Sequence, residues 1–121
     1  MALSTFLLDD RIERRLVKQT TAGTTADNDV VGKAPTIYSI RYHNPHASTA
    51  CYIKLYDAKT ATNTDNPVMN LKSLPSTQVV LEFPDGITFT TGLCIRAAQQ
   101  ADDSVASTAP AGNTKVEILT N

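Results

Sequence analysis

Residues 36–58 constrain the fold of this chain most strongly, because apolar and polar residues alternate twice within them. The apolar positions are Tyr38, Ile40 and Tyr42 in the first run and Cys51, Ile53 and Leu55 in the second. Alternation with a period of two places one set of side chains on one face of a strand. Asn44-Pro45 and Ser48-Thr49, between the runs, are residues that favour chain reversal. The stretch therefore predicts a β-hairpin at the centre of an antiparallel sheet.

The remainder of the body continues as short alternating runs separated by turn residues. We predict strands over residues 67–72, 78–83, 93–98 and 114–120, with a brief extended piece at 87–89. The segment Pro84-Asp85-Gly86 is a strong turn signal, which predicts that the strand before it ends there. About seven or eight strands at this spacing predict an all-β fold, an antiparallel, jelly-roll-like β-sandwich.

The first 18 residues differ from the body, since they combine apolar residues with the highest density of charged residues in the chain. Ser4 is a suitable N-cap for a helix that runs to about Val17. Leu8, Ile12 and Leu16 would then align on one face at i, i+4 spacing. An extended arm is the alternative. In either form the segment must dock on its own domain or on a neighbouring subunit, because isolated helices of about 12 to 15 residues are marginal in water.

The segment after the arm is rich in Thr, Ala, Asp and Gly, a composition typical of a linker. We therefore divide the chain into an N-terminal arm and linker over residues 1–33, partly helical in the first interpretation, and a β-sandwich domain over residues 34–121. A chain of 121 residues suffices for one core.

Composition limits the classes of partner. Lys and Arg total 11 against 12 Asp and Glu, a net charge of -1, and nucleic-acid binding needs a local excess of basic residues. No apolar run approaches the roughly 20 residues that cross a bilayer, and the N-terminus lacks the basic start of a secretory signal. We expect neither a nucleic acid nor a membrane as partner.

No motif for an enzyme or a cofactor site is recognisable. His43 and His46 are spaced so that they could approach one metal ion, but a zinc site usually needs three or four protein ligands. Cys51 and Cys94 fall inside predicted strands, where we expect buried, reduced and unreactive thiols. We therefore expect no catalytic residue, no metal, no cofactor and no enzymatic activity.

The segments IYSIRYHN, YIKLYDA, FPDGITFTTGLCIRA and KVEI, in this order over residues 37–118, resemble small jelly-roll proteins of tailed-phage virions, the capsid cement or decoration proteins. The resemblance implies a non-enzymatic homotrimer that binds the outside of an icosahedral capsid and stabilises the shell through its N-terminal arm. It also implies assembly in the host cytoplasm and a final location on the virion surface.

The resemblance further implies that the arm contacts the major capsid protein. The contact residues would be Leu3, Phe6, Leu7, Leu8, Ile12, Arg14 and Arg15. Removal of residues 1–18 would then leave a folded body that no longer binds shells. The alternative is a virion surface, tail, neck or baseplate component that binds host glycans through the loops at 59–66, 84–86 and 99–113. Sugar binding by such a body would not depend on the arm.

Overall fold

Two antiparallel sheets pack against each other with the hydrophobic core between them. The structure is a computed structural model that describes residues 3–9, 14–102 and 107–121. Its strands are β1 (Leu3–Asp9), β2 (Arg14–Gln19), β3 (Thr36–Asn44), β4 (Cys51–Tyr56), β5 (Met69–Ser73), β6 (Thr77–Thr88), β7 (Cys94–Ala98) and β8 (Lys115–Thr120). These residues contain no helix, and the predicted all-β sandwich is confirmed.

The strand order follows a jelly-roll path. The larger sheet has the order β1-β2-β8-β3-β6, and the smaller one has the order β5-β4-β7. Residues 22–30 lie along the free edge of β7, where the Asp27 and Ile95 amides exchange hydrogen bonds of 2.9 and 3.0 Å and the Val30 amide donates to Leu93. With this segment, each layer has four rows, and β1 lies outside that set of eight. Counting the segment, the chain changes layer at every step from β2 to β8 except between β4 and β5, which are neighbours in the smaller sheet.

Burial in the core explains why the alternating apolar and polar segments of the sequence form strands. One row of buried aliphatic side chains comes from β2, β3 and β8, and the facing row comes from β4 and β7 with the segment before it. The best buried members are Val17, Ile37, Ile40, Val116 and Ile118 on the larger sheet and Ile53, Leu55, Leu93 and Ile95 opposite them. Alternation places these residues inward while their sequence neighbours face away.

The predicted hairpin between β3 and β4 is wrong. β3 pairs with β6 and β8, whereas β4 pairs with β5 and β7, so the chain crosses from one sheet to the other between them. The Asn44 side-chain amide fixes this corner by donating to the carbonyls of Thr49 (2.8 Å) and Ser73 (3.2 Å). Turn-forming residues suit a corner between sheets as well as a hairpin loop, and alternation alone does not distinguish the two.

The predicted end of a strand at Pro84 is also wrong, because β6 continues to Thr88. Its register with β3 shifts from Ser39 opposite Glu82 to Ile37 opposite Ile87. Residues 83–86 form the bulge between these pairs, and Gly86 adopts a φ of 78° within it. The turn residues therefore bend the strand without ending it.

The predicted helix over residues 4–17 is wrong for the described part of that segment, which forms strands β1 and β2. β2 pairs with β8 from Arg15 opposite Thr120 to Gln19 opposite Val116. An isolated helix would have gained nothing from β8, whereas a strand gains both backbone pairing and burial of Val17. Val17 thus packs in the same hydrophobic core as the residues of the segment 34–121.

Candidate functional site

Strand β1 carries most of the residues predicted to contact a partner. Leu3, Phe6, Leu7 and Leu8 all belong to it, and it pairs along one edge with β2. No strand among the described residues pairs with its other edge, since β1 ends the five-stranded sheet. The Leu3 side chain is 40% exposed. β1 therefore offers a row of backbone donors and acceptors for a further strand.

The basic residues predicted to bind a partner lie in β2, and Ile12 lies outside the described residues. The Arg14 guanidinium stacks over the Tyr38 ring, 3.9 Å from its centroid. The two side chains border a shallow cleft of about 380 Å³ that also includes Phe83 and Pro84 of the β6 bulge. Arg15 lies one residue further along β2, opposite Thr120. The structure thus separates the predicted contact residues into an open edge strand and a pair of arginines on its neighbour.

The two histidines do not form a metal centre. The Nδ1 atom of His46 accepts hydrogen bonds from the Ser48 and Thr49 amides, at 3.3 and 3.0 Å, so this ring orders the corner after β3. His43 lies within β3, opposite Gln78 and Lys115. Across the described parts of the chain, no three His, Cys, Asp or Glu side chains are placed to share a metal ion.

The prediction that both cysteines are buried is confirmed, and both are free thiols. Cys94 Sγ donates to the Ala58 carbonyl at 3.0 Å, and Cys51 Sγ lies 3.4 Å from the Thr114 hydroxyl oxygen. Burial raises the pKa of each thiol above its ordinary value. A buried thiol with a raised pKa is a poor nucleophile, so these residues contribute packing.

Asp57 holds together the loop that precedes β7. Its carboxylate accepts hydrogen bonds from the amides of Thr90, Thr91 and Gly92, at 2.8 to 3.2 Å, and from the Thr90 hydroxyl at 2.9 Å. Burial acts to raise the pKa of Asp57, but these donors outweigh it and hold the pKa below its ordinary value. The carboxylate is therefore a structural acceptor in its charged form.

The outer face of the smaller sheet contains two buried cations. Lys54 of β4 and Arg96 of β7 are directly opposite each other and are 0% and 1% exposed. The Lys54 ammonium donates to the carbonyls of Ala101 and Asp102, at 3.0 and 2.9 Å, which anchors the loop after β7. Burial of charged side chains is uncommon and requires polar partners.

Arg96 connects three separate segments. Its Nε donates to the Thr24 carbonyl (2.7 Å), its Nη1 to the Tyr56 hydroxyl (2.8 Å) and its Nη2 to the Ser107 hydroxyl (3.1 Å). Tyr56 is 1% exposed, so its ring packs within the structure and does not form an exposed stacking platform. Sequence reasoning missed Arg96 as a site residue. The signal in the sequence was a single charged residue within an apolar predicted strand. The position of the loops that cover Arg96 could not be predicted from the sequence.

The chain matches no protein-family model and no curated protein sequence. Its structure is similar to that of the tobacco streak virus coat protein, with a TM-score of 0.39 and 13% sequence identity over 94% of this chain and 90% of that chain. At this TM-score the likeness carries no argument about function. Among the described residues, no helix has the length and apolar character needed to span a membrane.

Proposed function

We propose that this chain is a non-enzymatic structural protein of a virion, a cement or decoration protein that binds the outer capsid surface through its N-terminal strand. The observation that supports this proposal best is the position of β1. It lies outside the eight rows of the jelly roll, and no described strand pairs with its outer edge. The sequence resemblance to phage decoration proteins supplies the kind of partner.

The composition of β1 supports a binding role for this edge. Natural proteins usually protect an edge strand with lysine, proline or a short length. β1 has the sequence LSTFLLD over seven residues, without proline or lysine. Such a strand suits addition to a sheet edge of another subunit, where backbone hydrogen bonds give affinity and alternate side chains give specificity.

In this proposal, the four apolar residues of β1 contact the major capsid protein. Arg14, Arg15 and Ile12 are expected to contact the partner as well, and Arg14 does so from its position over Tyr38. A homotrimer would present three such strands to the shell. Three modest contacts on one particle give a high effective concentration and tight attachment.

The test uses the full chain and shells assembled from the major capsid protein of the virion that carries it. Deletion of residues 1–9 removes β1 and leaves β2 in the sheet. We expect the deletion protein to keep its fold and to lose co-sedimentation with shells. Light scattering on the full chain should give the mass of three chains.

Two proline variants provide a matched pair. Successive residues of a strand direct their amides to opposite edges, so one of Ser4→Pro and Thr5→Pro affects pairing with β2 and the other affects the open edge. The variant that keeps slow amide hydrogen exchange in both β1 and β2 identifies the open-edge position, and it should lose shell binding. Full-occupancy binding by the folded deletion protein would refute the proposal.

A further inference from the structure

Among the described residues, the hydrogen-bond partners of the Arg96 guanidinium are all neutral. Its acceptors are the Thr24 carbonyl and the hydroxyls of Tyr56 and Ser107. No described residue has a carboxylate within 4.0 Å of this guanidinium. The one ion pair found among the described residues joins Arg41 and Glu117. An arginine side chain keeps its charge and has five N–H donors, so its charge is not compensated by these contacts.

This guanidinium borders a cleft, which we name the Arg96 cleft. The cleft has a volume of about 320 Å³. Its lining consists of Thr24, Thr25, Ala26, Ala61, Thr62, Asn63, Arg96 and Ser107. Hydroxyl and amide groups therefore surround one buried cation, and a volume of this size lies in the range of small-ligand sites.

Hydrogen bonds hold two walls of the cleft in place, the segment at 24–26 and the loop at 61–63. The segment at 24–26 is fixed by the hydrogen bond from Arg96 Nε to the Thr24 carbonyl. The loop at 61–63 is tied down by the Ala61 amide, which donates to the Asn28 side chain at 3.0 Å. The Thr62 amide, which donates to Asp65 at 2.8 Å, orders the same loop. The cleft is thus preformed, which lowers the entropic cost of binding.

We propose that the Arg96 cleft binds an oxyanion, namely the carboxylate or phosphate group of a small ligand. The bonds to Thr24, Tyr56 and Ser107 use three of the five N–H donors of the guanidinium, and a further donor suits an oxyanion through a charge-assisted hydrogen bond. The surrounding threonine hydroxyls and the asparagine amide suit the hydroxyl groups of an acidic sugar. The inference does not depend on the virion role, because β1 lies on the other sheet.

The competing explanation is that Arg96 only joins three segments and needs no ligand. The two explanations differ in their response to a charge placed at the cleft. Thr25 lines the cleft with an exposed side chain, so the variant Thr25→Glu adds a carboxylate without changing a buried residue. Thr25→Gln is the matched neutral control.

The experiment measures melting temperature and titration heat of the full chain with sodium phosphate, glucuronate, acetate and glucose, at constant ionic strength set with chloride. We expect phosphate or glucuronate to raise the melting temperature with saturation. Thr25→Gln should keep this response, and Thr25→Glu should bind at least tenfold more weakly. Glucose alone should have no effect.

The comparison of anions identifies the source of the group. If phosphate binds saturably, and acetate and glucuronate bind more weakly than phosphate but with equal affinity, the ligand is a free oxyanion. Glucuronate that binds at least tenfold more tightly than acetate indicates an acidic sugar. The proposal is overturned if no anion gives a saturable response, or if Thr25→Glu responds as the wild type does.

Discussion

Val17 provides a sharp test of whether the N-terminal segment belongs to the folded body. Its side chain is fully buried in β2, although it lies within the first 33 residues. The change Val17→Ala removes two methyl groups from the core. At about 0.8 kcal/mol for each, with a further cost for the cavity, the free energy of unfolding should fall by about 2 to 3 kcal/mol.

This loss converts to a measurable change in melting temperature. For 121 residues, an unfolding entropy of about 2.1 cal/mol/K per residue gives about 0.25 kcal/mol/K. Val17→Ala should therefore lower the melting temperature by about 8 to 12 °C in a calorimetric scan. Val80→Ala is the same chemical change at a side chain that is 48% exposed, and it should cost less than about 0.5 kcal/mol.

Deletions extend the test. Removal of residues 1–9 should leave the melting temperature nearly unchanged, because β1 touches the body through β2. Removal of residues 1–18, which the sequence alone predicted to leave a folded body, should instead abolish cooperative unfolding, since it removes Val17 and most of the β2 residues that pair with β8. Equal shifts for the two valine variants, or a cooperative transition at the wild-type temperature in the longer deletion, would refute this reasoning.

Two further variants test local features. Asp57→Asn should lower the free energy of unfolding by about 1 to 3 kcal/mol at pH 7, because a charged acceptor of several hydrogen bonds is lost. Since the folded-state pKa of Asp57 is lowered, its contribution is present above about pH 4 and is lost as pH falls further. Urea unfolding at pH 7 and pH 3 should show the variant's deficit shrinking, and a constant deficit would contradict the assignment. Gly86→Ala should cost about 2 kcal/mol or more, because φ is 78° and the added Cβ would meet Thr36 Cγ2 and, at 3.1 Å, Tyr38 Cε1. Gly23→Ala, where nothing lies within 4 Å, is its control, and equal thermal shifts would show that the bulge imposes no such constraint.

Alternation located the strands well because it depends only on which side chains face the core. The predicted strand over 114–120 became β8 at Lys115–Thr120, and the predicted run over 93–98 became β7 at Cys94–Ala98. Partner choice depends on residues distant in sequence. The pairing of β3 with β8 and β6, and not with β4, was therefore outside what a local pattern can specify.

Candidate sites were harder to predict, for related reasons. The exposed edge of β1 follows from which strand ends the sheet, and that order is a tertiary property. The Arg96 cleft needs segments 24–26 and 61–63 to meet above β7. In the sequence, Arg96 is one charged residue in an apolar run, and no local pattern shows what covers it. The sequence did indicate that the polar loops at 59–66 and 99–113 were candidate surfaces, and both contribute residues to that cleft.

The place of β8 in the larger sheet has a consequence for the order of folding. β8 (Lys115–Thr120) follows the other seven described strands in chain order, yet it lies between β2 and β3 in the sheet. Without β8, β2 and β3 each lack the strand with which they pair on that side. The larger sheet can therefore be completed only once β8 is present, by contacts between distant residues that form slowly. A chain that stops a few residues early would expose two strand edges at the centre of the sheet, where another molecule's strand can enter.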